Sequence, residues 1–593
     1  MSSLSPKEKE AFQRAKETEI ENWIKTGTIS KVLREKIPYD QVLRCRWILT
    51  WKNIDSDDPK KMTTQKAKAR LVILGYLDPK LEELPRDSPT LSRISKMILL
   101  QYLASRGWDL KSFDIKAAFL QGKTQGDRVL AIEPVPEIIQ AMNLKPGEIC
   151  KLEKGAYGLV DAPYLWYVAI TEELQRLGFI SSPFDPCMFN LKHPQHGTVE
   201  GVLGLHVDDG ICGGTPYFNS VLDKLEQKYP FGTKKMKQFT FTGIEMQQLP
   251  DHSIHMSQSK YIRAINPIQI HAERKKSPNA EVTESERQDL RALIGSLQYA
   301  SVHTRPDLSS RLSNLQSQIN KSTVETLIQA NQTLHEAKKH HDTTIKIQSI
   351  PIADFRFLAF SDASFASKTN PNSHTGMLIM GTHKDIDNNV SCPVSPLAWG
   401  CKKIQRVATS TLAAETVSLN SVLDQLSWMR LFWAWINDHT TNWKQPAQTL
   451  KSLPNTISTS TYKAQTITDS ITATDCKSLY DLVTRTAMPN CSEYRTQLNA
   501  RSIKDYLSEG VSLRWVHSGA QLADGLTKIM ENAFLRETLQ YGYYKLHDEL
   551  EVLRDRATTR NRLKWLRSGN EEITDSNSKK DNSTCNGHVQ QSG

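Results

Sequence analysis

The sequence has few cysteines and no long apolar run. Its nine cysteines are scattered without a C-x-x-C pair, so neither a zinc knuckle nor a disulfide framework is expected, and a reducing compartment is indicated. The most apolar stretch, LSWMRLFWAWI, is short and contains Arg430, which predicts a buried helix and not a membrane span. The amino terminus, MSSLSPKEKEAFQRAKETEI, lacks the apolar core of a secretory signal. These absences predict a soluble, intracellular protein with no membrane partner.

The bulk composition indicates an ordinary folded protein with a modest basic excess. At 593 residues the chain is too long for one hydrophobic core, so several domains are expected. Lys and Arg number 75 against 65 Asp and Glu, which gives a formal charge of +10. That excess favours a polyanionic partner, although a small positive charge is also an ordinary means of staying soluble.

Hydrophobic patterning divides the first half into short elements. Apolar residues near helical spacing predict an amphipathic helix over 6–36. The strand-like pieces RCRWILTWKNI and KARLVILGYL flank a lysine-rich turn and predict a hairpin. Helices are predicted for ISKMILLQYLASRG, ending at Gly107, and for the segment after Pro163. TVEGVLGLHVDDGICGG then predicts strand, turn and strand.

The second half begins after a helical connector. Residues 308–340 predict a pair of helices, the second opening with Ser322 three residues before Glu325 in a capping-box arrangement. A domain boundary is expected near 345–352. The segment STLAAETVSLNSVLDQLSWMRLFWAWI predicts one long helix, and the polar sequence from 569 onward is expected to be disordered.

The stretch LHVDDG places two aspartates side by side at the end of an apolar strand. Asp208 and Asp209 before a glycine are common turn formers, and that reading stands as one alternative. The other is a site for a divalent cation, because paired carboxylates repel unless a cation lies between them. A third carboxylate is available in Asp114 of SFDIKAAFL, which on its own would be a strand-end feature. Three such groups on one sheet can hold two cations that clamp the attacking and leaving oxygens of a phosphoryl transfer.

Four separated carboxylates suggest a second site later in the chain. Each alone fits a helix cap or a surface charge, and Asp475 before an apolar helix fits an ordinary N-cap. In chain order, the four lie in a predicted strand, in a helix, at the end of a strand and at the start of a helix. Carboxylates placed in this way on one sheet and its flanking helices can come together around two cations. The four are Asp362, Glu415, Asp475 and Asp524.

Six blocks in series resemble the reverse transcriptase of copia-type retrotransposons over roughly 40–310. They are FDIKAAFLQG, YGLVDAPYLWY, FDPCMF, LHVDD, FTGIEM and RALIGSLQYASVHTRPDLS. The resemblance implies a palm in which Asp114, Asp208 and Asp209 bind two Mg²⁺ (or Mn²⁺) ions. It also implies a fingers hairpin.

The resemblance assigns nucleotide contacts to three further residues. Lys68 and Arg70 would meet the incoming triphosphate, with solvated hairpin charges as the alternative. Phe119 would pack under the sugar and exclude a 2′-hydroxyl, with a core Phe in a strand as the alternative.

Three departures from the family pattern bear on activity. His206 stands where the family usually has Tyr, and Asp161 replaces a Gln, where its charge would repel a triphosphate. RDSPTLSR replaces a Pro-Val sequence after the fingers.

The second half resembles the ribonuclease H domain that follows this polymerase. LAWGCKKIQRVATSTLAAET and HSGAQLADGLTK carry the likeness. It implies two metal ions held by Asp362, Glu415, Asp475 and Asp524, which activate water for attack on RNA in a hybrid. His517 would shuttle a proton or is a bystander in its loop. A cluster of three cations would follow a phosphate backbone or form a solvated face: Lys402, Lys403 and Arg406.

The implied architecture is an α+β/α/β multidomain chain: a right-hand polymerase with fingers, palm and thumb-like helices, then a ribonuclease H-like mixed-sheet domain. The expected divisions are an N-terminal helical segment (1–36), fingers and palm (37–307), helical thumb or connector (308–350), ribonuclease H-like domain (351–540), C-terminal helical extension (541–568) and disordered tail (569–593).

The expected function is RNA-directed DNA polymerisation with ribonuclease H activity. The implied partners are an RNA template, a DNA primer, the RNA–DNA hybrid and deoxynucleoside triphosphates, with a homo-oligomer or association with integrase left open. The expected location is a cytoplasmic virus-like particle, with the nucleus as a further site. No protease, integrase or capsid motif is recognised, which suggests a processed product or a gene fragment. The main alternative is a catalytically decayed remnant that at most binds nucleic acid, and a third is a host-adopted interaction protein.

Overall fold

The computed structural model describes residues 4–54, 64–123, 128–366, 372–437, 470–530 and 532–547. The tail predicted to be disordered lies outside this part, as does most of the predicted C-terminal extension. The described beginning of that extension contains the strand Tyr543–Lys545. No helix in the described part combines the length and apolarity needed to cross a bilayer.

Helices and strands are mixed along the described chain, so the predicted mixed α/β, multidomain class is confirmed. The longest helix, predicted as one element, is 26 residues long. The helices are α1 (Pro6–Lys25), α2 (Arg93–Arg106), α3 (Pro136–Met142), α4 (Ala162–Arg176), α5 (Pro216–Lys228), α6 (Ser259–Ala264), α7 (Ala272–Lys275), α8 (Glu284–His303), α9 (Ser309–Gln318), α10 (Val324–Lys339), α11 (Thr411–Ile436), α12 (Lys477–Thr484), α13 (Tyr494–Leu507), α14 (Asp524–Thr527) and α15 (Ala533–Tyr541).

The described strands of the first half form two sheets and a hairpin. The first sheet has the order β1-β7-β6-β2, the hairpin is β3-β4, and the second sheet, here the central sheet, has the order β12-β5-β11-β10-β9-β8. The strands are β1 (Ile29–Leu33), β2 (Val42–Leu43), β3 (Cys45–Ile54), β4 (Thr64–Ile73), β5 (Lys111–Ile115), β6 (Ala131–Ile132), β7 (Glu148–Leu152), β8 (Phe179–Ser181), β9 (Met188–Lys192), β10 (Val199–His206), β11 (Asp209–Gly214) and β12 (Phe231–Met236).

Two further sheets follow. The order β13-β14-β15-β16 makes a small antiparallel sheet, and β21-β20-β17-β18-β19-β22 makes a larger one, here the distal sheet. In the distal sheet β17, β20 and β21 run parallel while β18, β19 and β22 pair antiparallel. The strands are β13 (Gln238–Phe241), β14 (Ile244–Gln248), β15 (Ile254–Ser257), β16 (Ile345–Ile347), β17 (Phe355–Ser364), β18 (His374–His383), β19 (Ser391–Lys403), β20 (Ser470–Thr474), β21 (Val511–Trp515) and β22 (Tyr543–Lys545).

The predicted hairpin is confirmed, but the predicted first helix is too long. Strands β3 and β4 pair in register from Cys45↔Ile73 to Ile54↔Thr64. Helix α1 ends at Lys25 and not near residue 36, because Gly27 adopts a φ of 65° that a helix cannot continue through. The chain then turns into β1, which pairs with β7. The predicted helical segment is therefore a helix followed by a strand.

Helix α2 ends as predicted, whereas the cap of α10 differs from its prediction. Gly107 closes α2 in the left-handed region, which satisfies the last carbonyls. Helices α9 and α10 confirm the predicted helix pair, but the N-cap of α10 is Thr323, whose N–H donates to Thr326 Oγ1. Ser322 Oγ instead donates to the Ile319 carbonyl, so the Ser322–Glu325 capping box is wrong by one residue.

One apolar core runs through the central and distal sheets. Its buried members extend from Leu91 to Leu546, and helix α2 packs between the two sheets against β10 and β19. Tyr102 of α2 lies edge-on to Trp433 of α11, with ring centroids 6.0 Å apart. Gln101 Nε2 donates to the Gln348 carbonyl at 3.0 Å. The two sheets are thus parts of one packed body.

Candidate active sites

The two adjacent aspartates lie at a tight hairpin between β10 and β11. His206 pairs with Asp209, which leaves Val207 and Asp208 as the two turn residues. Val207 has a φ of 63°, a strained conformation for a β-branched residue. The turn is held by Trp166 Nε1, which donates to the Val207 carbonyl at 2.8 Å, and by the Ile115 N–H, which donates to the Asp208 carbonyl at 2.9 Å. The local conformation of the doublet is therefore fixed by its surroundings.

The structure brings Asp114 directly opposite this doublet. Asp114 of β5 is the cross-strand partner of Asp209 of β11. Burial raises the pKa of Asp209 to about 6, with Asp208 and Asp114 adding to the rise. Burial also raises the pKa of Asp208, and Asp114 adds to that rise while Lys68 and Arg70 oppose it. Partly buried carboxylates that repel one another fit residues that hold divalent cations.

A bulge in β12 orients the Asp114 carboxylate. The pairing of β12 with β5 shifts register between Phe231 and Lys234, beside Asp114. In this bulge the Thr233 N–H donates to Asp114 Oδ1 at 2.5 Å. A methyl group on Gly232 would lie 2.4 Å from Asp114 Oδ2, so only glycine lets the strand approach this closely.

We expect Gly232→Ala to fold and to lose activity at this site. The added methyl group must push the carboxylate aside, and a misplacement of about 1 Å can lower a rate by about 100-fold. Primer extension measured beside thermal unfolding checks this, with Gly400→Ala as the matched control because a methyl group there meets nothing within 4 Å. Full extension activity in a folded Gly232→Ala protein would contradict the role given to the bulge.

The predicted nucleotide contacts lie near the doublet. Lys68 and Arg70 are on β4, and the charge of each lowers the pKa of Asp208. Lys68 is half-buried, and burial lowers its pKa while Asp208 acts in the opposite direction. Phe119 is partly buried in the 3₁₀ turn Ala118–Gln121 and not in a strand, and its ring lies 5.7 Å from that of Tyr157. Phe119 thus packs against the core, as the alternative expected, but from a turn and not from a strand. Its contact with a sugar stays a prediction.

Asp161, which departs from the family pattern, is neutralised by a buried arginine. Arg128 Nη2 lies 2.8 Å from Asp161 Oδ2, and Arg128 Nη1 lies 3.0 Å from Asp78 Oδ2. All three side chains are less than a tenth exposed. Repulsion of a triphosphate by Asp161 is thus offset by a cation that the sequence pattern did not suggest.

Loss of Arg128 should destabilise the protein strongly. Arg128→Met leaves two buried carboxylates without their cation, and breaking a buried pair costs about 3–5 kcal/mol. The midpoint of urea unfolding measures the loss. Arg14→Met is the control, because its pair with Glu10 is largely exposed, and we expect it to leave the midpoint unchanged. Equal midpoints for the two variants would refute a structural role for the buried triad.

The four later carboxylates meet at one end of the distal sheet. Carboxylate oxygens of Asp362, Asp475 and Asp524 all lie within 4.8 Å of one another. Asp362 is on β17, Asp475 follows β20, and Asp524 begins α14. Glu415 is the fifth residue of α11, which packs on β17. The N-cap of α12 is Cys476, so the reading of Asp475 as an ordinary N-cap is wrong.

The electrostatics of this acid cluster indicate a cation site. Burial strongly raises the pKa of Glu415, with Asp362 and Asp475 adding to the rise, and its Oε2 is buried without a hydrogen-bond partner. Burial also raises the pKa of Asp475 to about 6 and the pKa of Asp524, in each case with help from Asp362. Lys528 Nζ lies 2.6 Å from Asp524 Oδ1 and 3.7 Å from Asp362 Oδ1. One lysine offsets only part of the charge of four carboxylates.

The remaining predicted residues surround the distal sheet. His517 is half-buried after β21, and its Nδ1 accepts a hydrogen bond from the Gly519 N–H at 3.0 Å. Lys402, Lys403 and Arg406 are exposed at and beyond the end of β19. Lys403 pairs with His374, which pairs with Ser364, so Lys403 shares the sheet face of Asp362 from two strands away, about 10 Å across the sheet. The contacts of the three cations with nucleic acid, and proton transfer by His517, stay predictions.

Sequence reasoning missed three residues at these sites. Lys528 follows Asp524 by four positions, a spacing that signals an ion pair on a helix. Thr527 Oγ1 donates to Asp362 Oδ2 from the same short helix. Tyr157 stands within the quoted YGLVDAPY block, and burial raises its pKa to about 12, with the charges of Glu19 and Asp208 adding to the rise. A signal existed for Lys528, but none for Tyr157.

Comparison with known proteins shows what the chain is similar to. Residues 36–272 match the family described as reverse transcriptase (RNA-dependent DNA polymerase). The chain is related to copia-type retrotransposon Pol polyproteins. It is 29% identical over 406 residues to the retrovirus-related Pol polyprotein from transposon RE1 of Arabidopsis thaliana, covering 65% of this chain and 26% of the relative. It is 24% identical over 450 residues to that from transposon TNT 1-94 of Nicotiana tabacum, covering 72% and 32%.

The similarity covers only part of each of these relatives. The chain spans about a quarter to a third of the length of the curated Pol polyproteins it matches. Among solved structures, a foamy viral protease–reverse transcriptase in complex with RNA/DNA hybrid is similar with a TM-score of 0.43 and 12% identity, covering 87% of this chain and 54% of that one.

Proposed function

We propose that the chain is an RNA-directed DNA polymerase with ribonuclease H activity that copies retrotransposon RNA into DNA. The observation that carries the proposal is the pairing of Asp114 with Asp209 beside Asp208, within the region that matches reverse transcriptases. The fold is then a right-hand polymerase followed by a ribonuclease H-like domain. We assign fingers and palm to 37–307, thumb or connector to 308–350, and the nuclease to 351–540.

The chain's own residues have distinct roles at the polymerase site. Asp114, Asp208 and Asp209 would hold two divalent cations, and we favour Mg²⁺ or Mn²⁺ because carboxylate oxygens are their usual ligands. Lys68 and Arg70 bind the triphosphate through its charge. Phe119, held edge-on by Tyr157, limits the space beneath the sugar.

The nuclease site uses the acid cluster of the distal sheet. Asp362, Glu415, Asp475 and Asp524 would hold its cations, and the unpartnered Glu415 Oε2 supports that fit. Bound divalent cations supply, at both sites, charge stabilisation of the attacking and leaving oxygens. Lys403 and its exposed neighbours Lys402 and Arg406 position the phosphate backbone of the hybrid.

Primer extension on an RNA template tests the proposal. We expect the intact chain, with Mg²⁺, to incorporate deoxynucleotides and to degrade the RNA of the resulting hybrid. No incorporation with several metals and templates would favour a catalytically decayed remnant that at most binds nucleic acid. We also propose that the protein works in cytoplasmic particles and that its product DNA passes to the nucleus.

A further inference from the structure

Four basic side chains from three elements lie near the end of β10, the strand that leads into the aspartate doublet. Arg93 and Lys96 lie in the first turn of α2, His206 ends β10, and His303 ends α8. We call these four residues the Lys96 cluster. Lys96 is 4% exposed, and the described residues give its ammonium neither an ion-pair partner nor a hydrogen-bond acceptor. Its nitrogen is not among the fully buried polar atoms, so an anion can reach this largely desolvated charge and stabilise it.

The four groups are close enough to repel one another. Burial lowers the pKa of Lys96 to about 8, and the charge of Arg93 lowers it further. Burial lowers the pKa of His303 to about 3, followed by the effects of Lys96, Arg93 and His206. His303 Nδ1 is buried without a hydrogen-bond partner. Lys96 and Arg93 carry the positive charge of the cluster, and two adjacent cations beside an unused ring nitrogen are typical of a site for a negatively charged ligand.

Arg93 is held firmly in place. Arg93 Nη1 donates to the Val302 carbonyl at 2.9 Å, and Arg93 Nη2 donates to the Trp399 carbonyl at 3.0 Å. Trp399 Nε1 in turn donates to the Ser301 carbonyl at 2.8 Å. These bonds tie the first turn of α2, which carries Arg93 and Lys96, to the end of α8 and to β19.

The cluster is separate from the cations of the hairpin β3–β4. The charges that act on Lys68 come from Arg70, Lys52, Glu19 and Asp208, and none of them belongs to the cluster. The Leu91 N–H donates to the Leu205 carbonyl at 2.9 Å, which places the start of α2 beside the end of β10, the strand that leads into the doublet. Lys68 and Arg70 instead lie on β4. The two sets of cations therefore belong to different elements.

We propose that the Lys96 cluster binds a phosphodiester of the primer strand close to its 3′ end. The inference rests on the proposed polymerase function, which assigns the triphosphate to Lys68 and Arg70. In-line phosphoryl transfer places the attacking 3′ oxygen and the leaving pyrophosphate on opposite sides of the reacting phosphorus. The second cationic site is therefore available to the strand that supplies the 3′ oxygen.

A methylphosphonate scan of a primer–template duplex tests the proposal on the full chain without triphosphates. Each phosphate of the primer, and then of the template, is replaced singly by a neutral methylphosphonate. We expect one primer position near the 3′ end at which the replacement weakens binding about tenfold. In Lys96→Met the same replacement should have no effect, because the charge it would lose has already gone. The slope of log affinity against log salt should fall by about one in Lys96→Met.

The controls separate this site from general charge. Lys9→Met removes an equal charge from the exposed face of α1, and Lys96→Arg keeps the charge in place. Both should retain the sensitive phosphate. The inference would be overturned if replacement of every primer phosphate weakened binding equally in the unmodified protein and in Lys96→Met. It would also be overturned if the phosphate that loses its effect in Lys96→Met lay in the template. A third overturning result is that no primer phosphate affects binding to the unmodified protein. This result can be obtained even if Lys96→Met does not fold.

Duplex binding is measured without catalysis, so this result is independent of the proposed activity. If the chain extends no primer but one primer phosphate still loses its effect in Lys96→Met, the inference stands and the proposed polymerase function fails. If the chain extends primers but no primer phosphate depends on Lys96, only the inference fails.

Discussion

Asp208→Asn is expected to abolish deoxynucleotide incorporation and to leave hybrid cleavage unchanged. The change removes one negative charge from a turn where Asp114 and Asp209 lie on paired strands. Charge stabilisation by bound metal ions is worth several kcal/mol, and each 1.36 kcal/mol is a factor of ten in rate. We therefore expect a loss of at least about 1000-fold in primer extension.

The substitution should not disturb the fold of the turn. The Val207 and Asp208 carbonyls make the hydrogen bonds that hold the turn, and Asn keeps both. Asp223→Asn, on the exposed face of α5, is the matched control and should extend primers normally. Extension by Asp208→Asn at more than about a tenth of the normal rate would remove Asp208 from the catalytic machinery.

Glu415→Gln is expected to have the converse effect, abolishing hybrid cleavage and sparing extension. Gln preserves the shape of the side chain and removes a charge that Asp362 and Asp475 oppose. We expect at least a 100-fold loss of RNA cleavage in a preformed hybrid, because one oxygen ligand of the proposed cation site becomes a neutral amide.

The stability of this variant gives a second readout. A buried carboxyl whose pKa is raised contributes stability below its unfolded pKa and loses it as the pH rises. At neutral pH without divalent metal, Gln should therefore raise the unfolding midpoint or leave it unchanged. Glu537→Gln, which is exposed on α15, controls for the charge change. Cleavage by Glu415→Gln at the normal rate would place the nuclease chemistry elsewhere.

Local patterns were sufficient for the sequence to predict the central features of both sites. Alternating apolar residues around LHVDDG predicted a strand, a turn and a strand, and those elements are present. The contexts of Asp362 and Asp524 predicted a strand and a helix start, and both are as expected. These assignments succeeded because the hydrogen bonds and burial that define them lie within a few residues of the motif.

Contacts between distant segments were not predictable in the same way. Arg128 pairs with Asp161 from 33 positions away, with β6, α3 and β7 between them. The Lys96 cluster joins residues on α2, β10 and α8, each of which looks like an isolated charge in the sequence. Tertiary packing decides such contacts, and one sequence does not display it. The late end predicted for α1 is a different error, because Gly27 was a local signal for the end of the helix.

The packing of α2 between the central and distal sheets has a consequence for how a duplex would be processed. Arg93 ties the first turn of this helix to carbonyls of both α8 and β19, and Tyr102 packs on Trp433 further along it. Under the proposed function, a body joined in this way would keep a constant interval between the growing 3′ end and the place of RNA scission. The protein would then act as a molecular ruler, in which its architecture, and not the relative speeds of the two reactions, sets the number of base pairs left intact behind synthesis.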